Sequence, residues 1–161
     1  MKTNKTNICY FLLLLPFLIL SCKASKGLSK EEIIEQTDSK VEAQRYTFEA
    51  TQAHPANGRM VHLSPSYTLK VTPDSVIAYL PYFGRAYSAP SPTEEGGIKF
   101  TSTDFDYSLS EKDKGTYRAT IKILDNHNKY ELSLLISDNA KGTLYVSQQN
   151  KQSITFYGDI E

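Results

Sequence analysis

The sequence has no Trp, two Cys, three His and no net charge, with 18 Lys plus Arg against 18 Asp plus Glu. Each shortage excludes a class of function. A balanced charge leaves no basic footprint, so nucleic acid is not an expected partner. The two Cys, Cys9 and Cys22, both fall in the first 22 residues, which leaves the rest of the chain no thiolate for a zinc site. His54, His62 and His127 fall in no H-x-H or H-E-x-x-H spacing, so no metal is expected. There is no Walker loop and no G-x-G-x-x-G in a βαβ setting, so no nucleotide cofactor is expected. The G-x-S-x-G of a nucleophile elbow is also missing. A Ser-His-Asp triad stays open, because its members need not be neighbours in sequence. Asp104 with Asp106, or Glu94 with Glu95, could serve a glycosidase or bind Ca²⁺. Solvated carboxylates on a polar face are far commoner, and the expectation is a protein that is not an enzyme.

No apolar run reaches the roughly 20 residues of a membrane-spanning helix. The longest, residues 8–20, follows a polar start carrying Lys2 and Lys5. A positive start and a short apolar core read as a secretory signal peptide over residues 1–21. Its end, Ile19-Leu20-Ser21-Cys22, resembles a bacterial lipobox. That resemblance implies cleavage before Cys22, lipidation of its thiol and acylation of its amine. Several acyl chains give stable anchoring, at about 0.8 kcal/mol per buried CH₂. The mature chain keeps 16 basic and 18 acidic side chains, a net charge of −2, and no disulfide. It is long enough to bury a core without such a staple.

Residues 22–28 read as a tether and residues 29–44 as a helix. Ser29 and Glu32 have the spacing of a capping box, with Leu28 and Ile33 placed as a hydrophobic staple. The apolar face, Ile33, Ile34 and Val41, is thin, which fits a spacer or lid on the domain. From Arg45 the period changes to two. Tyr46, Phe48 and Ala50 alternate with polar residues, as do Leu69 and Val71, Val76 to Leu80, Ile98 and Phe100, and Phe105 to Leu109. The same holds for Tyr117 to Ile123, Tyr130 to Ile136, Leu144 and Val146, and Ile154 and Phe156. Pro73, Gly115, Asn126 and Gly142 mark turns between them. Residues 45–161 are therefore expected to form an all-β antiparallel meander, barrel-like, with a sandwich as the second choice.

One stretch breaks the alternation: Leu80-Pro81-Tyr82-Phe83-Gly84-Arg85-Ala86-Tyr87. Pro81 ends a strand, and Gly84 suggests a bend at positive φ. Tyr79, Tyr82, Phe83, Arg85 and Tyr87 are the candidate binding residues, offering ring faces and a guanidinium for an anionic group. The same residues also fit a packing role, with Tyr82 and Phe83 plugging a barrel end and Arg85 tying down carbonyls or stacking on a ring. The long loop after it, with Pro90, Pro92, Gly96 and Gly97, is of the kind that is functional or mobile. Asp74-Ser75-Val76 resembles the tripeptide that Bacteroidetes O-glycosylate, which makes Ser75 a candidate modification site.

The strings Leu80 to Ala86, Gly96-Gly97-Ile98-Lys99-Phe100 and Ser147 to Gly158 resemble a family of Bacteroidetes lipoproteins known as domain of unknown function 4251. The likeness covers about Ala43 to Glu161. It implies an envelope compartment and a fold but no reaction, and no catalytic residue is carried over. Acidic residues after the lipidated Cys resemble a surface-export signal in such bacteria. Here Lys23-Ala24-Ser25-Lys26 follows Cys22, which points to the periplasmic face. The expected function is a lipid-anchored binding domain for a small amphipathic molecule, a glycan or a peptide. The alternative is a structural or accessory subunit of a membrane-associated protein complex.

Overall fold

The computed structural model describes residues 29–56, 58–85, 96–113, 115–125, 129–149 and 151–161. The expected signal peptide, Cys22, the tether and Leu28 lie outside them, as do Tyr87, Glu94, Glu95 and His127.

The chain enters through helix α1 (Lys30–Glu42). The capping box forms: the Glu32 amide donates to Ser29 Oγ at 3.2 Å and the Ser29 amide to Glu32 Oε2 at 2.8 Å. The helix stops two residues before Gln44, which takes a left-handed φ of 51°. Its packed face is Thr37 and Val41, both buried, flanked by half-buried Ile33 and Ile34. Thr37 is accommodated because its hydroxyl donates to the Ile33 carbonyl at 2.8 Å.

Ten strands follow: β1 (Tyr46–Pro55), β2 (Val61–His62), β3 (Thr68–Val71), β4 (Val76–Leu80) and β5 (Ile98–Ser102), then β6 (Phe105–Asp113), β7 (Thr116–Ile123), β8 (Tyr130–Ile136), β9 (Lys141–Gln148) and β10 (Lys151–Ile160). They form one antiparallel sheet in the order β5-β4-β3-β1-β10-β9-β8-β7-β6, with β2 paired to β1. A single sheet answers the choice between barrel and sandwich: it curls into a half-barrel around one core. Two meanders meet where the first strand pairs with the last. At the other joint, β5 and β6 are separated by Thr103 and Asp104 alone, yet they do not pair. Counting antiparallel steps around the sheet gives β5 and β6 the same direction. The chain runs straight on, leaving β4 and joining β7.

Alternation holds as expected on most strands: β7, β8 and β9 bury Tyr117, Ala119, Ile121, Ile123, Tyr130, Leu132, Leu134, Ile136, Leu144 and Val146. Side chains meet across the curl. The rings of Phe100 on β5 and Tyr130 on β8 stack at 4.9 Å, and the hydroxyls of Tyr46 on β1 and Tyr107 on β6 lie 3.4 Å apart. Burial pushes the Tyr46 phenol far up, with the Tyr107 hydroxyl adding to the shift. α1 lies against the sheet through buried Val41, which joins the core, and through contacts along its flank. Ile34 packs on Gly115, Lys30 pairs with Asp138 at 2.9 Å, and Asp38 neighbours Tyr117.

One feature of β1 is invisible to a period-two reading. The register shifts between Ala50 and Gln52, so Thr51 is an extra residue. The inward phase changes from Tyr46, Phe48 and Ala50 to Ala53 and Pro55.

Candidate functional site

The LPYFGR stretch is a clamp. It leaves β4 at Leu80 and is tied to the start of β10, some 70 positions later, through Gln152. The Gln152 amide donates to the Arg85 carbonyl at 3.1 Å, and the Arg85 amide donates to Gln152 Oε1 at 3.3 Å. The Tyr82 hydroxyl lies 3.0 Å from the carbonyl oxygens of both Arg85 and Gln152 and shares its hydrogen between them. Lys151 stands 5.7 Å from the Tyr82 ring centre. Of the two readings, Tyr82 takes the packing role. Arg85 contributes its backbone to the clamp while its side chain is exposed.

Gly84 differs from the expectation. It is not among the positive-φ residues, and glycine is needed there for space: a Cβ would lie 2.3 Å from the Tyr82 hydroxyl. The ring folds back under the glycine to reach its two carbonyls.

The remaining candidates separate. Phe83 is 44% exposed and plugs nothing. Tyr79 stands on the outer face of β4, 45% exposed, stacked on Tyr67 at 5.7 Å with Lys99 5.0 Å from its ring centre. Lys99 comes from β5, directly opposite Tyr79, and Tyr67 from the residue just before β3, whose Thr68 is opposite Tyr79 on the other side. Ser75 is half-buried in the β3–β4 turn, its hydroxyl 2.9 Å from Thr72 Oγ1.

The other sequence candidates are also spread out. His54 and His62 are exposed, opposite Thr155 and Gln52 respectively. Asp104 sits in the β5–β6 link, its amide donating to Ser102 Oγ at 3.2 Å, and Asp106 lies opposite Lys122 on β7. Among the described residues no group of three His, Cys, Asp or Glu is placed to hold a metal. No helix among them is long and apolar enough to cross a membrane.

A second aromatic surface was missed by the sequence reading. On the outer face of β9 and β10, Tyr145 is 45% and Tyr157 37% exposed. Tyr145 is flanked by Ser133 on β8 and Thr155 on β10, and Tyr157 lies opposite Thr143. Thr120 continues the hydroxyl row onto β7, and Arg118 Nη1 donates to Ser133 Oγ at 3.2 Å. The signal was present, since Tyr145 alternates with buried Leu144 and Val146 and so falls on the solvent side. Open grooves also lie among the described residues. One of about 630 Å³ lies beside Lys122, Lys129, Tyr130 and Gln148, and one of about 770 Å³ runs along the acidic side of α1 past Glu31, Glu35, Asp38 and Glu42.

The architecture defines a class: a small all-β half-barrel with a filled interior and a helix packed on it. The chain belongs to the family described as domain of unknown function (DUF4251), which it matches over residues 29–160. It is similar to the crystal structure of a DUF4251 family protein from Bacteroides eggerthii DSM 20697. The identity is 16%, the match covers 80% of this chain and 86% of that one, and the TM-score is 0.60. At that identity the likeness speaks for the fold. No curated protein matches.

Proposed function

We propose that this protein is a non-enzymatic binding domain of the bacterial envelope, anchored by lipid on Cys22, that takes a glycan on the outside of its half-barrel. The observation that carries this reading is the pair of exposed rings, Tyr145 and Tyr157, flanked by the hydroxyls of Ser133, Thr143 and Thr155, with Arg118 and the Lys141–Asp159 ion pair on the same face. Aromatic rings supply apolar contact to sugar faces, and the hydroxyls around them both donate and accept. A small amphipathic molecule inside the barrel finds less support. That space is taken by Phe48, Phe156, Leu69, Leu132 and their neighbours, all fully buried.

The test uses the chain recovered from its own membranes. Mass spectrometry reads the N-terminal peptide, and a Cys22 start bearing acyl mass is expected. Tyrosine fluorescence, undisturbed in a chain without Trp, then follows titration with soluble fragments of envelope polysaccharide. Saturable binding that weakens at least tenfold in Tyr145→Ala and Tyr157→Ala is expected. No binding to any fragment, or binding indifferent to both substitutions, overturns the glycan reading.

A second reading, an accessory subunit of a larger assembly, draws support from the unpaired edge of β6.

A further inference from the structure

On the outer face of the sheet, cross-strand pairing sets side chains in rows that run at right angles to the strands. One row is built almost wholly of hydroxyls. Ser108 on β6 lies opposite Thr120 on β7, and Thr120 lies opposite Ser133 on β8. Ser133 lies opposite Tyr145 on β9, Tyr145 opposite Thr155 on β10, and Thr155 opposite His54 on β1. With strands about 4.8 Å apart, the row follows the curl for about 24 Å. The next row reads Ser110, Arg118, Leu135, Thr143, Tyr157 and Gln52 on the same six strands. Tyr145 and Tyr157 therefore stand in neighbouring rows, on adjacent strands.

Charge is spread unevenly over this face. Its carboxylates lie in the rows on either side of these two. Asp106 and Glu131 flank Lys122 in one, and Asp159 pairs with Lys141 beside Glu49 in the other. The two central rows hold no carboxylate and a single guanidinium, that of Arg118. Arg118 is half-buried, and its neighbours across the strands, Ser110 and Leu135, carry no charge. Its Nη1 donates to Ser133 Oγ, and Ser133 is the residue facing Tyr145, so the guanidinium is held one strand from the ring. Lys122 and Lys141 each have a carboxylate opposite them, whereas Arg118 makes no ion pair among the described residues. A partly desolvated guanidinium with no anion of its own is matched by a carboxylate from outside, which its planar fork can take bidentately. The geometry points to an acidic glycan as the ligand of this face, with a sugar carboxylate on Arg118 and the adjoining sugar ring on Tyr145. The hydroxyl row continues past Tyr145 to Thr155 and offers donors and acceptors to the neutral units of the chain. This inference rests on the glycan reading and adds to it the charge class of the ligand and the residue that selects it.

The experiment uses the full chain recovered from its own membranes. The probes are soluble, uronate-containing fragments of envelope polysaccharide, before and after reduction of their carboxylates to alcohols. Calorimetric titration compares the two. The acidic form is expected to bind about tenfold tighter than the reduced form, the return of one charge-assisted bidentate contact. Added salt should narrow the difference. In Arg118→Gln the two forms are expected to bind alike. Arg118→Lys, which keeps the charge but not the fork, should restore part of the preference. Tyr145→Ala should weaken both forms and keep their ratio. Equal binding of the two forms by the unsubstituted chain overturns this inference and leaves the glycan reading standing. An Arg118→Gln chain that weakens both forms alike, with the preference intact, overturns it as well, because Arg118 then serves only the fold. A poly-Glu peptide held as tightly as the acidic fragments does the same. Binding of neither form overturns the glycan reading itself.

Discussion

The sheet has two joints where its halves could close, and they differ in a way that runs against chain order. At β1–β10, strands from opposite ends of the chain pair from Phe48↔Ile160 to Pro55↔Ile154. At β5–β6, strands two residues apart make no pairing at all. Closeness in sequence does not make strands partners: β9 and β10 are also two residues apart and pair antiparallel, whereas the chain leaves β5 and enters β6 in the same direction. Direction and register, rather than proximity, decide which edges are satisfied. The well-made joint is also intolerant. The Gly158 backbone packs so tightly on β1 that a Cβ would lie 1.9 Å from the Glu49 carbonyl oxygen. β6 carries half-buried side chains and exposed charges instead.

Breaking the tight joint should have the largest effect. Gly158→Ala sets a methyl against backbone that cannot swing aside, and a loss of about 3 kcal/mol is expected in urea unfolding. A loss below that expected on β6 would mean that β1 and β10 have slack. The second expectation concerns the tyrosines around the joints. Burial, followed by the neighbouring Asp38 carboxylate, pushes the Tyr117 phenol up to about 12. Tyr46 and Tyr107, which bring β1 and β6 within reach of each other, are raised as well, in both cases chiefly by burial. A raised folded-state value means the native state holds these protons more firmly than the unfolded chain, whose phenols titrate near about 10. Their contribution is complete below that pH and is lost as pH climbs toward 12. The unfolding midpoint should fall over that interval, and Tyr117→Phe should flatten the fall. A midpoint independent of alkaline pH would contradict the burial of these phenols. The smallest effect belongs to the loose joint. Leu109→Ala removes a half-buried side chain and should cost about 1 kcal/mol. A cost as large as for a buried leucine would show that the β6 edge is covered.

Much of the fold was legible because burial is periodic. Tyr117 to Ile123 and Tyr130 to Ile136 alternate without a break, and each inward residue is buried. The capping box at Ser29 is local and was readable for the same reason. What could not be read depends on partners far along the chain. Nothing near Thr51 announces the extra residue, because the bulge answers to β10. The clamp joins Tyr82 to Gln152, and Gly84 looked like a bend when its purpose is to clear space for a hydroxyl. Tyr82 and Arg85 meet, Tyr79 stands on another face, and Tyr145 and Tyr157 were passed over because attention went to the irregular stretch rather than to aromatics on the solvent side of regular strands.

The pairing of the first strand with the last also constrains the order in which the molecule assembles. Thr51 and Tyr157 are 106 positions apart, yet the Thr51 hydroxyl donates to the Tyr157 carbonyl at 3.1 Å. Each meander can zip from its own turns, but bringing β1 to β10 means closing nearly the whole domain, an entropic cost met only near the end of folding. Until the final residues are available, β1 and β9 each carry a vacant side. A nascent chain therefore cannot mature piece by piece as it is made. It becomes a domain in one late event, when β10 reaches β1.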